Sequence, residues 1–155
     1  MDGELRIGTD KGELDVPLIH RFLSTEAYWS PGIQRETVAR AIAGSLCFGG
    51  YVDGAGQVAF ARVISDFATF AWLADVFVLP EHRGRGYSKQ LVAAVMAHPQ
   101  LQGLRRFMLG TWDAHGLYAQ FGFAPFARPD RMMEIQRADP YRTASAALTP
   151  TITSS

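Results

Sequence analysis

The chain has little of several features that would identify a class of protein at once. A single cysteine, Cys47, among 155 residues excludes a framework of internal disulfide bonds. The 15 basic and 15 acidic residues balance, so the chain lacks the overall positive charge that nucleic-acid-binding domains commonly carry. No apolar run approaches the roughly 18 residues of a membrane-spanning helix. We therefore expect neither nucleic acid nor a membrane as a partner.

Common nucleotide-binding motifs and metal-ligand spacings are also missing. The chain contains no Gly-x4-Gly-Lys-Ser/Thr phosphate loop, and no Gly-x-Gly-x-x-Gly fingerprint followed by a ribose-binding acid. The four histidines do not have the spacing of metal ligands, so we predict no metal site. The first residues contain no apolar signal-peptide core, and we expect a cytoplasmic protein.

Length and composition predict one domain with a tail. Hydrophobic residues make up 48% of the chain, and a chain of this length is expected to bury roughly 70% of the surface of its unfolded form. The domain is predicted over residues 1–137. From residue 138 to residue 155 the chain is mostly Ser, Thr, Ala and Pro, which predicts a flexible C-terminal tail.

Hydrophobic periodicity and turn residues predict the secondary structure. The first half is predicted to contain a strand over 4–9, a helix capped by Asp15, a helix over 34–43, and a hairpin of strands 46–52 and 57–65. The last part is predicted to contain a strand over 106–110, a helix over 114–121 that Asp113 can cap, and strands over 123–127 and 132–135. This order favours a mixed sheet over regular βαβ alternation.

The most informative stretch joins an apolar strand to a helix through a glycine-rich turn. Residues 71–79 are almost entirely apolar, which is typical of a central strand, and Pro80 ends the ladder because it has no N–H. The turn Arg83-Gly84-Arg85-Gly86 then leads into a helix that begins at about residues 85–88. Free N–H groups in the first turn of a helix, two glycines and two arginines together predict a site for a phosphate or pyrophosphate. A solvated basic turn is the alternative.

This junction resembles the GNAT superfamily of acyl-CoA N-acyltransferases. The family pattern Arg/Gln-x-x-Gly-x-Gly/Ala is matched by Arg83-Gly84-Arg85-Gly86-Tyr87-Ser88, except that Ser88 stands where Gly or Ala is usual. The family's strand ending in Val-x-Pro is matched by Val78-Leu79-Pro80. A second family pattern, Tyr-x-x-x-Gly-Phe, is matched by Tyr118-Ala-Gln-Phe-Gly122-Phe123.

The resemblance implies a fold, a reaction and a set of residues. The implied fold is α/β of the α+β type, with a mixed, mostly antiparallel sheet of six to seven strands and about four helices. The implied activity is N-acetylation of a primary amine by acetyl-CoA. Tyr118 would protonate the leaving thiolate, and Phe77 and Val78 would pair with the pantetheine arm and polarise the acyl carbonyl. The pyrophosphate would be held by the amides of Arg83, Gly84, Arg85, Gly86, Tyr87 and Ser88.

The general base is left open by the sequence. Family members place a glutamate at positions that correspond to Trp72 or Ala74, and neither is acidic here. Asp75 could order a water or the incoming ammonium, or it could be held by backbone donors. Asp113 is favoured as a cap, and His115 could titrate near neutral pH.

The acceptor is predicted to be a small amine or an amino-acid-like molecule. Tyr28, Trp29 and Trp112 lie where the family forms its acceptor pocket, with packing in the core as the alternative. Cys47 is interpreted as a small buried hydrophobe rather than a nucleophile. Two points remain open: the chain could be a homodimer, and it could be a catalytically silent module that binds CoA as a sensor.

Overall fold

The computed structural model describes residues 3–141 and, for the backbone alone, residues 151–153. The helices of this part are α1 (Val16–Thr25), α2 (Arg35–Ala43), α3 (Tyr87–Ala97) and α4 (His115–Ala119). The main sheet contains β1 (Arg6–Gly8), β2 (Leu46–Val52), β3 (Gly56–Ser65), β4 (Phe70–Val78) and β5 (Arg106–Leu109), in that spatial order. A small second sheet pairs β6 (Gln136–Ala138) with β7 (Thr151–Thr153).

The predicted fold class is confirmed. Strands β1 to β4 pair antiparallel to one another, and β4 pairs parallel to β5, so the sheet is mixed and mostly antiparallel. The main sheet has five strands rather than the expected six to seven.

The strands predicted over 123–127 and 132–135 are wrong. Both segments are irregular and largely exposed, and a 3-10 turn, Pro129–Arg131, separates them. Pro125 lacks the N–H that a ladder position needs. The apolar residues of these segments indicated β structure, but apolar content alone does not create a pairing partner.

The sheet is covered on both faces, as the apolar run over residues 71–79 predicts. On one face α3 places Leu91 and Val95 against Val63 and Leu73. On the other face α1 and α2 pack over a second cluster, which includes Ile19, Phe22, Val38, Phe60 and Phe77. The rings of Phe22 and Phe77 stack with centroids 4.0 Å apart. Strand β4 is therefore held from both sides.

Helix ends follow the predicted capping residues in one case and not in another. The Asp15 side chain accepts a hydrogen bond from the Leu18 N–H (3.1 Å) and caps α1 as predicted. Asp113 does not cap α4: the N-cap is Ala114, and Thr111 Oγ1 accepts the Ala114 N–H at 3.1 Å. The helix begins one residue later than predicted, and this shift removes Asp113 from the capping position.

Most of the predicted tail lies outside the described residues. Residues 142–150 and 154–155 fall in that part, so the flexible tail over 138–155 remains a prediction. None of the helices in the described part has the length and apolar character needed to cross a bilayer.

Candidate active site

The turn before α3 forms a cradle of free amides. Gly84 and Gly86 have φ of +80° and +78°, a left-handed conformation that glycine adopts without steric cost. Within residues 3–141, the amides of residues 84–88 donate to no protein acceptor. The Arg83 amide, also expected in this set, instead donates to the Pro80 carbonyl oxygen at 3.3 Å. A Cβ added at either glycine would meet no atom within 4 Å, so the space above the amides is open. The cradle can therefore receive an anion.

The side chains around the cradle divide into exposed cations and buried supports. Arg83 and Arg85 are both exposed, and Arg83 Nε donates to the carbonyl oxygen of Val78 at 3.0 Å. Tyr87 is 4% exposed, and its hydroxyl donates to the Gly3 carbonyl oxygen at 2.6 Å. Tyr87 can thus contribute its amide to a ligand, while its side chain anchors the start of α3.

Strand β4 separates from β5 halfway along its length. The pairing of β4 with β5 ends at Leu73 and Leu109, whereas the pairing of β4 with β3 continues to Val78. The Leu79 N–H donates to the Val58 carbonyl oxygen of β3 at 2.8 Å. Since successive amides of a strand point to opposite edges, the Val78 amide points away from β3, toward the gap. In the part of the chain that the structure describes, no strand pairs with this edge of residues 74–78, so the edge is free.

Tyr118 lies on α4 and is 8% exposed. Burial, followed by the neighbouring Tyr28 and Asp113, raises the pKa of Tyr118 from 10.0 to about 12. The phenol is therefore fully protonated at neutral pH. Within the described residues its hydroxyl makes no hydrogen bond, which leaves the proton available to a ligand.

Asp75 occupies an irregular position in β4 and is engaged by side chains. Its φ is +54°, and the β3–β4 register shifts between Phe60 and Arg62 on the facing strand. Asp75 Oδ1 accepts from Trp29 Nε1 and Oδ2 from Arg62 Nε, both at 2.8 Å. The side chains of Arg62 and Asp75 are only 15% and 12% exposed. The partners of this carboxylate are thus two side chains rather than the backbone donors considered from the sequence.

The three aromatic residues predicted for the acceptor pocket lie together. The rings of Tyr28 and Trp112 stack with centroids 3.7 Å apart, and Trp29 meets Tyr28 edge-on at 5.0 Å. The Trp112 N–H donates to the Tyr28 hydroxyl at 3.1 Å. All three rings are 40% exposed or more, so they form a surface rather than part of the core. This aromatic cluster joins the α1–α2 loop to the β5–α4 loop.

A cavity of about 260 Å³ lies under α2, on the sheet face that carries Arg62. Its wall includes Trp29, Trp72 and Asp75, together with Tyr141 from the C-terminal segment. We call it the α2 pocket. A larger groove of about 810 Å³ follows β5 and residues 121–128 and reaches Tyr118.

The sequence analysis missed Arg62 and Tyr141 as residues of this region. One signal was available for Arg62, a single charge within the apolar run of β3, because a buried arginine needs a partner. Tyr141 gave no such signal, since it follows a segment of low hydrophobicity.

The other residues considered from the sequence have different surroundings, and of these His115 lines the larger groove together with Tyr118. Cys47 is 1% exposed, and burial raises the pKa of its thiol to about 11, as befits a buried hydrophobe. His115 is exposed, and His20 Nε2 lies 2.9 Å from the Ile33 carbonyl oxygen. No group of three or more His, Cys, Asp or Glu side chains within residues 3–141 could hold a metal ion.

Comparison with known proteins places this geometry in a family. The family model described as acetyltransferase (GNAT) domain matches residues 43–125. A candidate acetyltransferase of Gibberella zeae is 32% identical, with 76% of this chain and 77% of that protein covered. The crystal structure of a candidate GNAT acetyltransferase from Xanthomonas campestris pv. campestris is 61% identical with a TM-score of 0.87, and the match covers 90% of this chain and 98% of that chain.

A more distant match supports the fold alone. Glucosamine-6-phosphate N-acetyltransferase from Arabidopsis thaliana is 15% identical with a TM-score of 0.59, over 80% of this chain and 94% of that chain. The family model matches more than half of the chain and contains both the cradle and Tyr118. This chain therefore belongs to the GNAT family of acetyltransferases.

Proposed function

We propose that the protein is an N-acetyltransferase that moves an acetyl group from acetyl-CoA to a primary amine of a small acceptor. The observation that carries this proposal is the cradle of free amides at residues 84–88, at the end of the strand whose edge is free. An anion at the start of a helix is stabilised by the free N–H groups and by the helix dipole. The pyrophosphate of CoA has the charge and size for such a cradle.

The rest of the cofactor follows from the position of the free strand edge. With the pyrophosphate at the amides of residues 84–88, the pantetheine arm can pair with the backbone of β4 as an added strand. Phe77 and Val78 form the end of this edge. The Val78 amide points into the gap, where it can donate to the thioester carbonyl oxygen as negative charge develops.

The chain supplies a proton donor for the leaving sulfur. The acceptor's ammonium first gives one proton to water. The neutral amine then attacks the thioester carbonyl carbon, an N–C bond forms, and the C–S bond breaks. Tyr118 gives its phenolic proton to the departing thiolate and regains a proton from water, while the extra proton on the amine nitrogen passes to solvent. Proton transfer of this kind contributes about 10² to 10⁴ in rate.

The acceptor side is formed by Asp75 and the aromatic cluster. We propose that Asp75 orders the incoming ammonium, because a carboxylate has about four lone-pair positions and only two are used by Trp29 and Arg62. Tyr28, Trp29 and Trp112 would flank the acceptor, since an ammonium is attracted to the faces of aromatic rings.

Calorimetry with CoA and thiol release from acetyl-CoA test the proposal together. A ligand at 100 times its Kd stabilises the folded state by about 2.7 kcal/mol, so CoA should raise the melting temperature clearly. Thiol release should then depend on an added amine. Absence of stabilisation at millimolar CoA would contradict the proposal, because the cradle would not bind its ligand.

A second candidate is a catalytically silent CoA-binding sensor or interaction module of the same fold. It is favoured by the lack of a carboxylate at Trp72 and Ala74 and by the engagement of both Asp75 oxygens. The two candidates differ in one assay. Tight CoA binding without thiol release for any amine supports the module, and amine-dependent release supports the enzyme.

A further inference from the structure

The α2 pocket presents a positive and a negative group on one wall. Arg62 and Asp75 both line it, and Arg62 Nε lies 2.8 Å from Asp75 Oδ2. Ala74 and Asp75 are the first residues of β4 beyond its pairing with β5, so this wall adjoins the gap proposed for the thioester. The pocket is therefore placed to hold the body of an acceptor.

Both charged groups keep unused hydrogen-bonding capacity. Arg62 has five N–H donors, of which Nε binds Asp75 and one on Nη1 binds Ser45 Oγ at 3.0 Å. Three donors remain, including both on Nη2. Asp75 likewise accepts two hydrogen bonds and has room for about two more. A ligand can thus add a carboxylate to Arg62 and an ammonium to Asp75 without displacing the existing partners.

Charge balance selects the kind of ligand. The ion pair is neutral as a whole, so a ligand with one net charge would leave that charge uncompensated in a largely buried place. A zwitterion has no net charge, and its carboxylate and ammonium complement the Arg62 guanidinium and the Asp75 carboxylate. The ammonium and carboxylate of an α-amino acid are separated by a single carbon, which suits two protein groups in direct contact.

The other walls limit the side chain of such a ligand. The remaining lining is mainly apolar and includes Leu23, Ile33, Val38, Phe60 and Trp72. Tyr141 closes part of the pocket from the C-terminal segment. The volume of about 260 Å³ lies below the usual range for drug-sized ligands, which begins at about 300 Å³. A small apolar side chain fits this space.

We propose that the acceptor is a small zwitterionic amine, an α-amino acid with an apolar side chain, with its carboxylate bound by Arg62 and its amine directed by Asp75. This inference rests on the proposed acetyltransferase function and adds the class of substrate. It assigns Arg62 as a residue that determines specificity.

The first test varies the ligand and leaves the protein intact. Thiol release from acetyl-CoA is measured with L-leucine, with isopentylamine, which lacks the carboxylate, and with spermidine, which is a polycation. Loss of hydrogen bonds to a charged group costs about 1.5–3 kcal/mol, so kcat/KM should be about tenfold or more higher for L-leucine than for isopentylamine. In addition, 4-methylpentanoate, which lacks the amine and brings an unbalanced charge, should compete with L-leucine but with an inhibition constant well above the KM for L-leucine.

The second test changes Arg62 and follows two substrates. Arg62→Lys keeps a cation beside Asp75 but removes the donors on Nη2, so the KM for L-leucine should rise about tenfold or more. The KM for acetyl-CoA should stay unchanged, and kcat/KM should fall more for L-leucine than for isopentylamine, because only L-leucine carries the carboxylate that Arg62 would bind. A general structural defect would lower both values equally and would also alter the KM for acetyl-CoA. Arg35→Lys is the matched control, because Arg35 is exposed at the first residue of α2 and does not line the pocket.

The outcomes separate this inference from the proposed function. If isopentylamine or spermidine is acetylated as well as L-leucine, the zwitterion is refuted while the acetyltransferase stands. If CoA fails to bind, both the amino-acid acceptor and the proposed acetyltransferase function are refuted. If Arg62→Lys does not fold, the comparison of L-leucine with isopentylamine on the unchanged protein still decides the question.

Discussion

The replacement Tyr118→Phe removes one hydroxyl group and tests the proton donor directly. The hydroxyl makes no hydrogen bond within the described residues, so its loss leaves no protein group unsatisfied. The ring keeps its contacts, including the edge-on contact with Phe123 at 6.0 Å between centroids. The free energy of unfolding should therefore change by less than about 1 kcal/mol.

The effect on the reaction should be much larger than the effect on stability. A lost general acid lowers kcat by about 10² to 10⁴, which corresponds to a barrier increase of about 3–5 kcal/mol. The Kd for CoA should stay unchanged, because Tyr118 lies outside the amide cradle. The measurement combines initial rates of thiol release, calorimetry with CoA and urea unfolding of the same preparation.

A matched control is available in β2. Tyr51 is also buried, at 9% exposed, and its hydroxyl has no hydrogen-bond partner within the described part. Tyr51→Phe makes the same chemical change outside the site and should leave kcat as it is. If Tyr118→Phe retained most of its activity, or if both variants lost activity equally, Tyr118 would not be the donor and water would have to protonate the thiolate.

Four further predictions concern pH, the cradle, the ion pair and the thiol. Because the folded-state pKa of Tyr118 is raised from 10.0 to about 12, its contribution to stability is complete below pH 10 and is lost as pH rises to about 12. Between pH 9 and pH 11.5 the free energy of unfolding in urea should therefore fall more for the wild type than for Tyr118→Phe. Equal decreases would refute the raised pKa. Gly86→Ala should weaken CoA binding and lower the free energy of unfolding by about 1–2 kcal/mol, because φ at this position is +78°. Gly86→Asn should have a smaller effect on both quantities. Calorimetry of CoA binding and of thermal unfolding measures them. Asp75→Asn should destabilise the fold by about 3 kcal/mol, because it leaves Arg62 buried without a counter-charge. Asp130→Asn, in an exposed pair, should change stability by less than about 1 kcal/mol. Equal denaturant midpoints for the two variants would show that burial does not strengthen the Arg62–Asp75 pair. Cys47 should react with a disulfide reagent only after unfolding, because its side chain is 1% exposed and the pKa of its thiol is raised to about 11. Prompt labelling of the native protein would contradict this buried position.

The cofactor side of the site was predictable because its signals are local. An apolar run, a proline and two glycines stand in one continuous stretch, and each acts on its own backbone. The structure places β4 over Phe70–Val78 and α3 from Tyr87, close to the predicted bounds. Tyr118 was indicated by the resemblance to the family pattern Tyr-x-x-x-Gly-Phe, and the structure places it on the short helix α4. Local backbone chemistry thus determines the part of the chain that we propose to hold CoA.

The acceptor side depends on contacts between residues that are distant in the chain. Trp29 and Asp75 are 46 positions apart, and their hydrogen bond joins the α1–α2 loop to β4. Nothing in the sequence next to Asp75 shows that Arg62 lies opposite it, because a register shift in the β3–β4 ladder decides this pairing. Tyr141 reaches the α2 pocket only because the chain returns to it after β6. Periodicity and turn chemistry contain no information on such contacts.

A single irregularity in β4 links the two halves of the site. A non-glycine residue with φ of +54° stores backbone strain of about 1–3 kcal/mol, and surrounding contacts must offset it. Asp75 meets this requirement through Trp29 on the α1–α2 loop and Arg62 on β3. The irregularity lies two residues beyond Leu73, where the pairing with β5 ends, and so stands at the start of the strand edge proposed for pantetheine. The residues that would recognise the acceptor therefore adjoin the gap in which the thioester would lie. Their contacts with Asp75 offset its backbone strain, which is a physical reason for a buried ion pair, costly to desolvate, at this point of the sheet.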